Sequence, residues 1–420
     1  ARRSTFSWMG DRPMTPHRLM TLVSVVSFVA SSSAAVFATE PVTITFRVTA
    51  PDSTPADATL YLAGNHDALG AWRADGLALA RSDDDDGVWS AAASFPVGAA
   101  LEFKVTLGDW SRVEKSATGA EIDNRTHLVT KGETLDLTVA SWADPSSNPP
   151  RCASTKTGAI RHHPNFASER LGRARDLWVY LPPGYDDAAD ERYPVLYFHD
   201  GQNLFDEATA AFGVEWGADE AAGRLIRSAR IPPLIIVGIG NTPARMAEYT
   251  PYPSERFDGR GGEGDRYAAF LVDELKPFID ATYRTKPERE HTGVAGSSLG
   301  GLISLHLALT KSESFSRIGV VSPALAWADG RILDETEAHA SRLKEMRLWI
   351  DMGGAEGQLS AGGDVREPVA LTRRLVAILD DAGYAIGRDY YYLEVIGAAH
   401  NEAAWSQRVD DMLLYLYSER

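Results

Sequence analysis

From residue 41 to about 141, apolar and β-branched residues recur in short runs separated by Gly, Pro and Asp. The runs are "VTITFRVTA", "ATLYLAG", "GVWSAAASFPV", "LEFKVTL" and "ETLDLTVASW". Short alternating runs bounded by turn residues predict strands, and their even spacing predicts a small antiparallel β-sandwich over 39–141. Beyond about 166 the rhythm changes. "RDLWVYLP", "YPVLYFH", "PLIIVGI", "EHTGVAG", "RIGVVSP", "MRLWIDM" and "YYYLEVIG" are nearly continuous apolar runs. Between several of them lie helical spacings at 266–283 (Phe270, Leu271, Leu275, Phe278), 298–309, 366–383 and 403–417. Apolar strands alternating with helices predict an α/β fold over 166–420, a mostly parallel sheet with flanking helices. Such a sheet binds ligands at the carboxyl ends of its strands.

Two segments fall outside these rhythms. Residues 142–165, rich in Pro, Ser and charge, read as a linker. Its adjacent His162 and His163 would point differently on any regular element, so an exposed pair is expected rather than metal ligands. At the start, Arg12, His17 and Arg18 precede "LMTLVSVVSFVA" (19–30) and a run of small residues. That is the pattern of a signal peptide, with cleavage expected near Ala38 and Met14 as a possible start. The apolar run is short of the roughly 20 residues a spanning helix needs, so no stable membrane anchor is expected. Residues 1–38 are therefore read as leader, and the protein as secreted or periplasmic.

The 420 residues suit two domains of roughly 100–200 residues each. A net charge of −16 argues against nucleic-acid binding, which needs clustered Lys and Arg. The single cysteine, Cys152, excludes an intrachain disulfide and a cysteine zinc site. The acidic run Asp83–Asp86 lacks the alternating ligand spacing of a calcium loop and reads as a hairpin tip.

Chemistry enters at "EHTGVAGSSLGGLISLHLALT". Gly296-Ser297-Ser298-Leu299-Gly300 fits G-x-S-x-G, placed where a strand should hand over to a helix. Ser298 is central in that pattern and Ser297 is not; a serine that only caps the helix is the competing reading. A serine hydroxyl needs an adjacent base, and the expected chain order is serine, acid, histidine. His400, in "VIGAAHNEAAW", follows the last long strand. In "RLWIDMGGAEG" two acids compete: Asp351 within the strand and Glu356 in the loop after it. Strand-end loops face the site, which favours Glu356, with Asp351 as the alternate. "FHDGQNLFD" supplies a second loop, His199-Asp200-Gly201-Gln202, whose Gln202 N–H would join that of Leu299 in an oxyanion hole.

Taken together, "YPVLYFHDGQNLFD", "GSSLGGL", "WIDMGGAEG" and "GAAHNEAAW" resemble the Putative esterase family of α/β-hydrolases. That group includes enterobactin-esterase-like enzymes, feruloyl and acetyl-xylan esterases and mycolyltransferases. The resemblance implies a serine esterase with Ser298 as nucleophile, His400 as base and Glu356 as acid, and no metal or organic cofactor. The first domain, through "YLAGNHDALGAW", "LEFKVTLGDW" and "VEKSATGAEIDNR", is similar to a family 20 starch-binding module. Trp72 matches one of that family's sugar-stacking tryptophans. The second has no counterpart around "SRVEK", where Trp110 is nearest; Trp89 is expected in the core.

The expected function is thus an exported carboxylic ester hydrolase acting on a small-molecule or glycan ester, of a carbohydrate or a phenolic acid, with a module able to bind α-glucan. Two rivals remain: a catecholate-siderophore lactone esterase, and a glycan-binding protein whose hydrolase domain is silent.

Overall fold

A computed structural model describes residues 41–418 apart from 71–72, 83–86, 120–121, 123, 144–153, 211–212, 258 and 358–365. Trp72, Cys152, the Asp83–Asp86 run and the leader with its cleavage position lie outside the described residues.

Alternation of buried and exposed residues builds the first domain. In β1 (Val42–Thr49) Ile44, Phe46 and Val48 face inward and their neighbours outward. The other strands are β2 (Leu60–Gly64), β3 (Leu77–Arg81), β4 (Val88–Phe95), β5 (Ala100–Thr106), β6 (Arg125–Leu128) and β7 (Glu133–Thr138). They hydrogen-bond in the order β6-β5-β2-β3-β4-β1-β7. Phe46 packs edge-on against Phe95 and Phe103, with centroids 6.1 and 5.4 Å away. Trp89 is buried in this core, as expected. The sandwich is not wholly antiparallel, because β1 pairs parallel with β7.

The second domain is an eight-stranded sheet. Its strands are β8 (Ala159–Ser168), β9 (Arg173–Leu181), β10 (Val195–His199), β11 (Ile235–Ile239), β12 (Thr292–Ser298), β13 (Arg317–Pro323), β14 (Arg347–Gly353) and β15 (Tyr390–Val395). The order is β8-β9-β11-β10-β12-β13-β14-β15, with β9 antiparallel to both its neighbours, β8 and β11, and every other pair parallel. β10 shows why the central strands are apolar throughout. Val195 and Tyr197 enter the core on one face, and Leu196 and Phe198 enter the core on the other.

Three sequence expectations need correcting. The linker ends before 159, because 159–165 belong to β8. That strand was illegible because it is a half-exposed edge strand with mostly polar residues on both faces, broken at a bulge between His163 and Phe166 around Pro164. Its histidines are not simply exposed: His162 stacks on Trp178, and His163 bonds the Tyr283 hydroxyl at 2.6 Å. The 266–283 helix contains a wider π turn at Leu271–Leu275. The 403–417 helix is broken into Glu402–Ser406 and Val409–Tyr417.

Candidate active site

Ser298 ends β12 and the helix Leu299–Thr310 begins at the next residue. To turn so sharply Ser298 adopts φ 59°, ψ −123°, a strained conformation for a residue with a side chain. The turn needs glycine beside it: a Cβ on Gly296 would lie 2.9 Å from the His199 ring and from the Gly300 backbone. Ser298 remains partly accessible, whereas Ser297 is buried. The first N–H groups of the helix have no intrahelical acceptor, so the Leu299 N–H is available to a ligand.

The loop after β14 brings in the acid. Glu356 is fully buried. Its Oε1 accepts from the Gly353 N–H at 2.8 Å and the Ser322 hydroxyl at 2.7 Å, and its Oε2 lies 2.9 Å from His400 Nδ1. With Glu356 ionised, Nδ1 must donate that bond, which puts the ring's basic lone pair on Nε2. The His400 ring also stands edge-on to Trp405 at 4.8 Å.

Asp351 is engaged elsewhere. Arg408 Nη1 donates to it at 2.6 Å, Trp349 Nε1 at 2.6 Å and the Ser322 N–H at 3.2 Å. Burial pushes its carboxyl up to about 6, although the Arg408 charge pulls the other way. Arg408 is delivered by the break between the last two helices. Nothing in the sequence pattern pointed to it.

The loop after β10 is also held by groups that sequence reading missed. Asp200 adopts φ 57° and takes a two-pronged contact from Arg245 at 2.7 and 2.8 Å, plus Asn241 at 2.7 Å. Burial would raise its carboxyl, but these partners hold it below the ordinary value. Gln202 sits in the short turn Gly201–Asn203, its side-chain oxygen accepting from the Asn241 N–H at 3.2 Å. His199 is buried with Nδ1 3.0 Å from the Tyr267 hydroxyl, and burial drives its pKa down to about 3.

One further residue arrives from the other domain. Glu102, on β5 of the sandwich, has its carboxyl raised by burial, against the pull of an Asn124 hydrogen bond and of the nearby His400. Of the two predicted tryptophans, Trp110 is 43% exposed and Trp72 lies outside the described residues.

Among the described residues, the carboxylates able to share a cation are Glu215, Asp219 and Glu220, with oxygens within 4.8 Å of one another. Burial pushes the Glu215 and Asp219 carboxyls up to about 7. No helix among the described residues is long and apolar enough to cross a membrane.

The strand order and the serine turn are those of the α/β-hydrolase class. The chain belongs to the Putative esterase family, whose model matches residues 168–416, and it is a carboxylic ester hydrolase. Residues 41–137 match the starch binding domain model. The uncharacterized protein YbbA of Bacillus subtilis is 28% identical over 258 residues, 60% of this chain and 96% of that protein. An alpha-amylase of Niallia circulans is 40% identical over 102 residues, 24% of this chain and 8% of the amylase. The ferri-bacillibactin esterase BesA of Bacillus subtilis is 31% identical over 184 residues, 40% of this chain and 60% of BesA.

Proposed function

We propose that Ser298, His400 and Glu356 form the catalytic set of an exported esterase that cleaves an ester of a carbohydrate or a phenolic acid. The observation carrying this reading is the 2.9 Å contact of His400 Nδ1 with the buried Glu356 carboxylate, beside a strained serine turn. Ser298 Oγ attacks the ester carbonyl while His400 Nε2 takes its proton. Glu356 holds the imidazole in that tautomer and stabilises the imidazolium. The N–H groups of Leu299 and Gln202 receive the oxyanion. The tetrahedral intermediate then expels the alcohol, which takes the proton from His400. Water, activated by His400, releases the acid and restores Ser298. Asp351 is satisfied by Arg408 and Trp349, and its role is to hold β14 and the Glu356 loop in place.

Export is supported by the charged, apolar and small-residue order of 12–38. The starch-binding match favours a carbohydrate on the substrate. Similarity to BesA favours a second reading, hydrolysis of a siderophore ester. Ser298→Ala should abolish hydrolysis of 4-nitrophenyl acetate while Ser297→Ala retains substantial activity. Equal loss in both would overturn the assignment.

A further inference from the structure

We propose that the crevice between the β-sandwich and the 246–260 segment of the hydrolase binds the saccharide part of an ester substrate, so that the module is one wall of the enzyme's own substrate site. This rests on the esterase reading above and adds where the sugar sits and what it is recognised by.

Residues 40–420 form one compact unit, and Arg256 joins its two parts. Arg256 donates to the Asn65 carbonyl at 3.5 Å and lies 3.7 Å from Asp67, both on the sandwich. Beside this bridge is a crevice of about 540 Å³, lined by Trp110, Arg73 and Asp75 from the module and by Phe257, Arg256 and Arg260 from the hydrolase. That volume lies within the roughly 300–1,000 Å³ of small-molecule sites.

The lining chemistry selects the ligand. Arg73 faces Asp75 at 3.8 Å and Arg256 faces Asp67, so two of the three lining arginines are compensated within the wall and the surplus is one charge. An anionic iron–catecholate complex would call for surplus cations. A neutral polyol instead uses paired charges as hydrogen-bond donors and acceptors, and its C–H faces stack on exposed aromatic rings. Trp110, exposed yet within the crevice, supplies such a face.

The Arg256 bridge also touches the strand that carries Glu102. Asn65, which Arg256 contacts through its carbonyl, accepts through its side chain from the Glu102 N–H at 3.0 Å. Glu102 is the module residue whose carboxylate feels the charge of His400. The module that supplies Trp110 to the crevice thus also supplies Glu102.

The test compares two acetate esters on the full chain, 4-nitrophenyl acetate and acetylated maltotriose, with calorimetric titration of free maltotriose alongside. Trp110→Ala and Arg260→Ala should each raise KM for acetylated maltotriose about tenfold, the scale of one lost aromatic contact. They should leave kcat/KM for 4-nitrophenyl acetate within about twofold and weaken maltotriose binding in parallel. Trp110→Phe should restore most of both. No maltotriose binding by the unaltered protein, or equal effects on the two esters, would overturn the proposal. Loss of the esterase reading would appear differently, as no 4-nitrophenyl acetate turnover by the unaltered protein, and the titration would still decide the crevice.

Discussion

The two domains bury their polar groups in contrasting ways. In the sandwich, Glu114 is buried beneath the sheet, where it accepts from the Val105 N–H at 2.8 Å and from Arg125 at 2.7 Å. The pair ties β5 and β6 together. In the hydrolase, buried charges pair strands with loops and helices: Asp351 with Arg408, Asp200 with Arg245, and Glu248 with Arg175 at 2.9 Å. Burying an ion pair contributes little net stability, because desolvation offsets the attraction. Their place in loops and at helix ends therefore points to positioning: they fix segments that the apolar core alone would leave loose. In the sandwich the buried charge ties strands together, and in the hydrolase it holds loops and helix ends.

Neutralising in turn Asp351 of β14 and Glu356 of the loop after it is the strongest way to break this contrast. Glu356→Gln should lower kcat by roughly 10⁴-fold, the scale seen when an orienting carboxylate is replaced. Asp351→Asn should cost kcat far less but remove about 3 kcal/mol of stability, since it leaves Arg408 buried beside a neutral partner. Kinetics and denaturant unfolding on both variants check the ranking. A larger kcat loss in Asp351→Asn would move the catalytic role to that residue.

The counterpart in the sandwich has a smaller expected effect. Glu114→Gln should cost about 1.5–3 kcal/mol, the range for a hydrogen bond to a charged group. Activity on 4-nitrophenyl acetate should not change. A fall in kcat comparable with that of Glu356→Gln would erase the distinction between the domains.

His199 sharpens the comparison through pH. Its folded pKa is depressed to about 3 from an ordinary 6.5, so between those values the unfolded chain binds a proton that the native protein refuses. Stability should therefore fall as pH drops from 6.5 toward 3, by at most about 1.4 kcal/mol per pH unit from this group. His199→Gln should flatten the acid limb of a melting-temperature profile. An unchanged limb would show that His199 is protonated in the native state.

What was legible in the sequence was what is local. The strand, turn and helix around Ser298 occupy adjacent residues, and the glycines that permit the turn stand beside it. Glu356 could be favoured over Asp351 because a loop after a parallel strand faces the site. The partners that hold those groups were not legible. Arg245 and Arg408 reach Asp200 and Asp351 from 45 and 57 residues away, through contacts that periodicity does not encode. β8 escaped notice because a strand half in water on both faces carries no apolar rhythm. Glu102 was invisible for a related reason, since its approach to His400 depends on how one domain lies on the other.

The central claim, that Ser298 is the nucleophile activated by His400, is tested most directly by labelling the protein with a fluorophosphonate and locating the adduct by peptide mass spectrometry. The account predicts a single adduct on Ser298, lost in His400→Ala and unaffected by Ser297→Ala. An adduct on Ser297, or labelling of Ser298 that persists at full rate without His400, would contradict it.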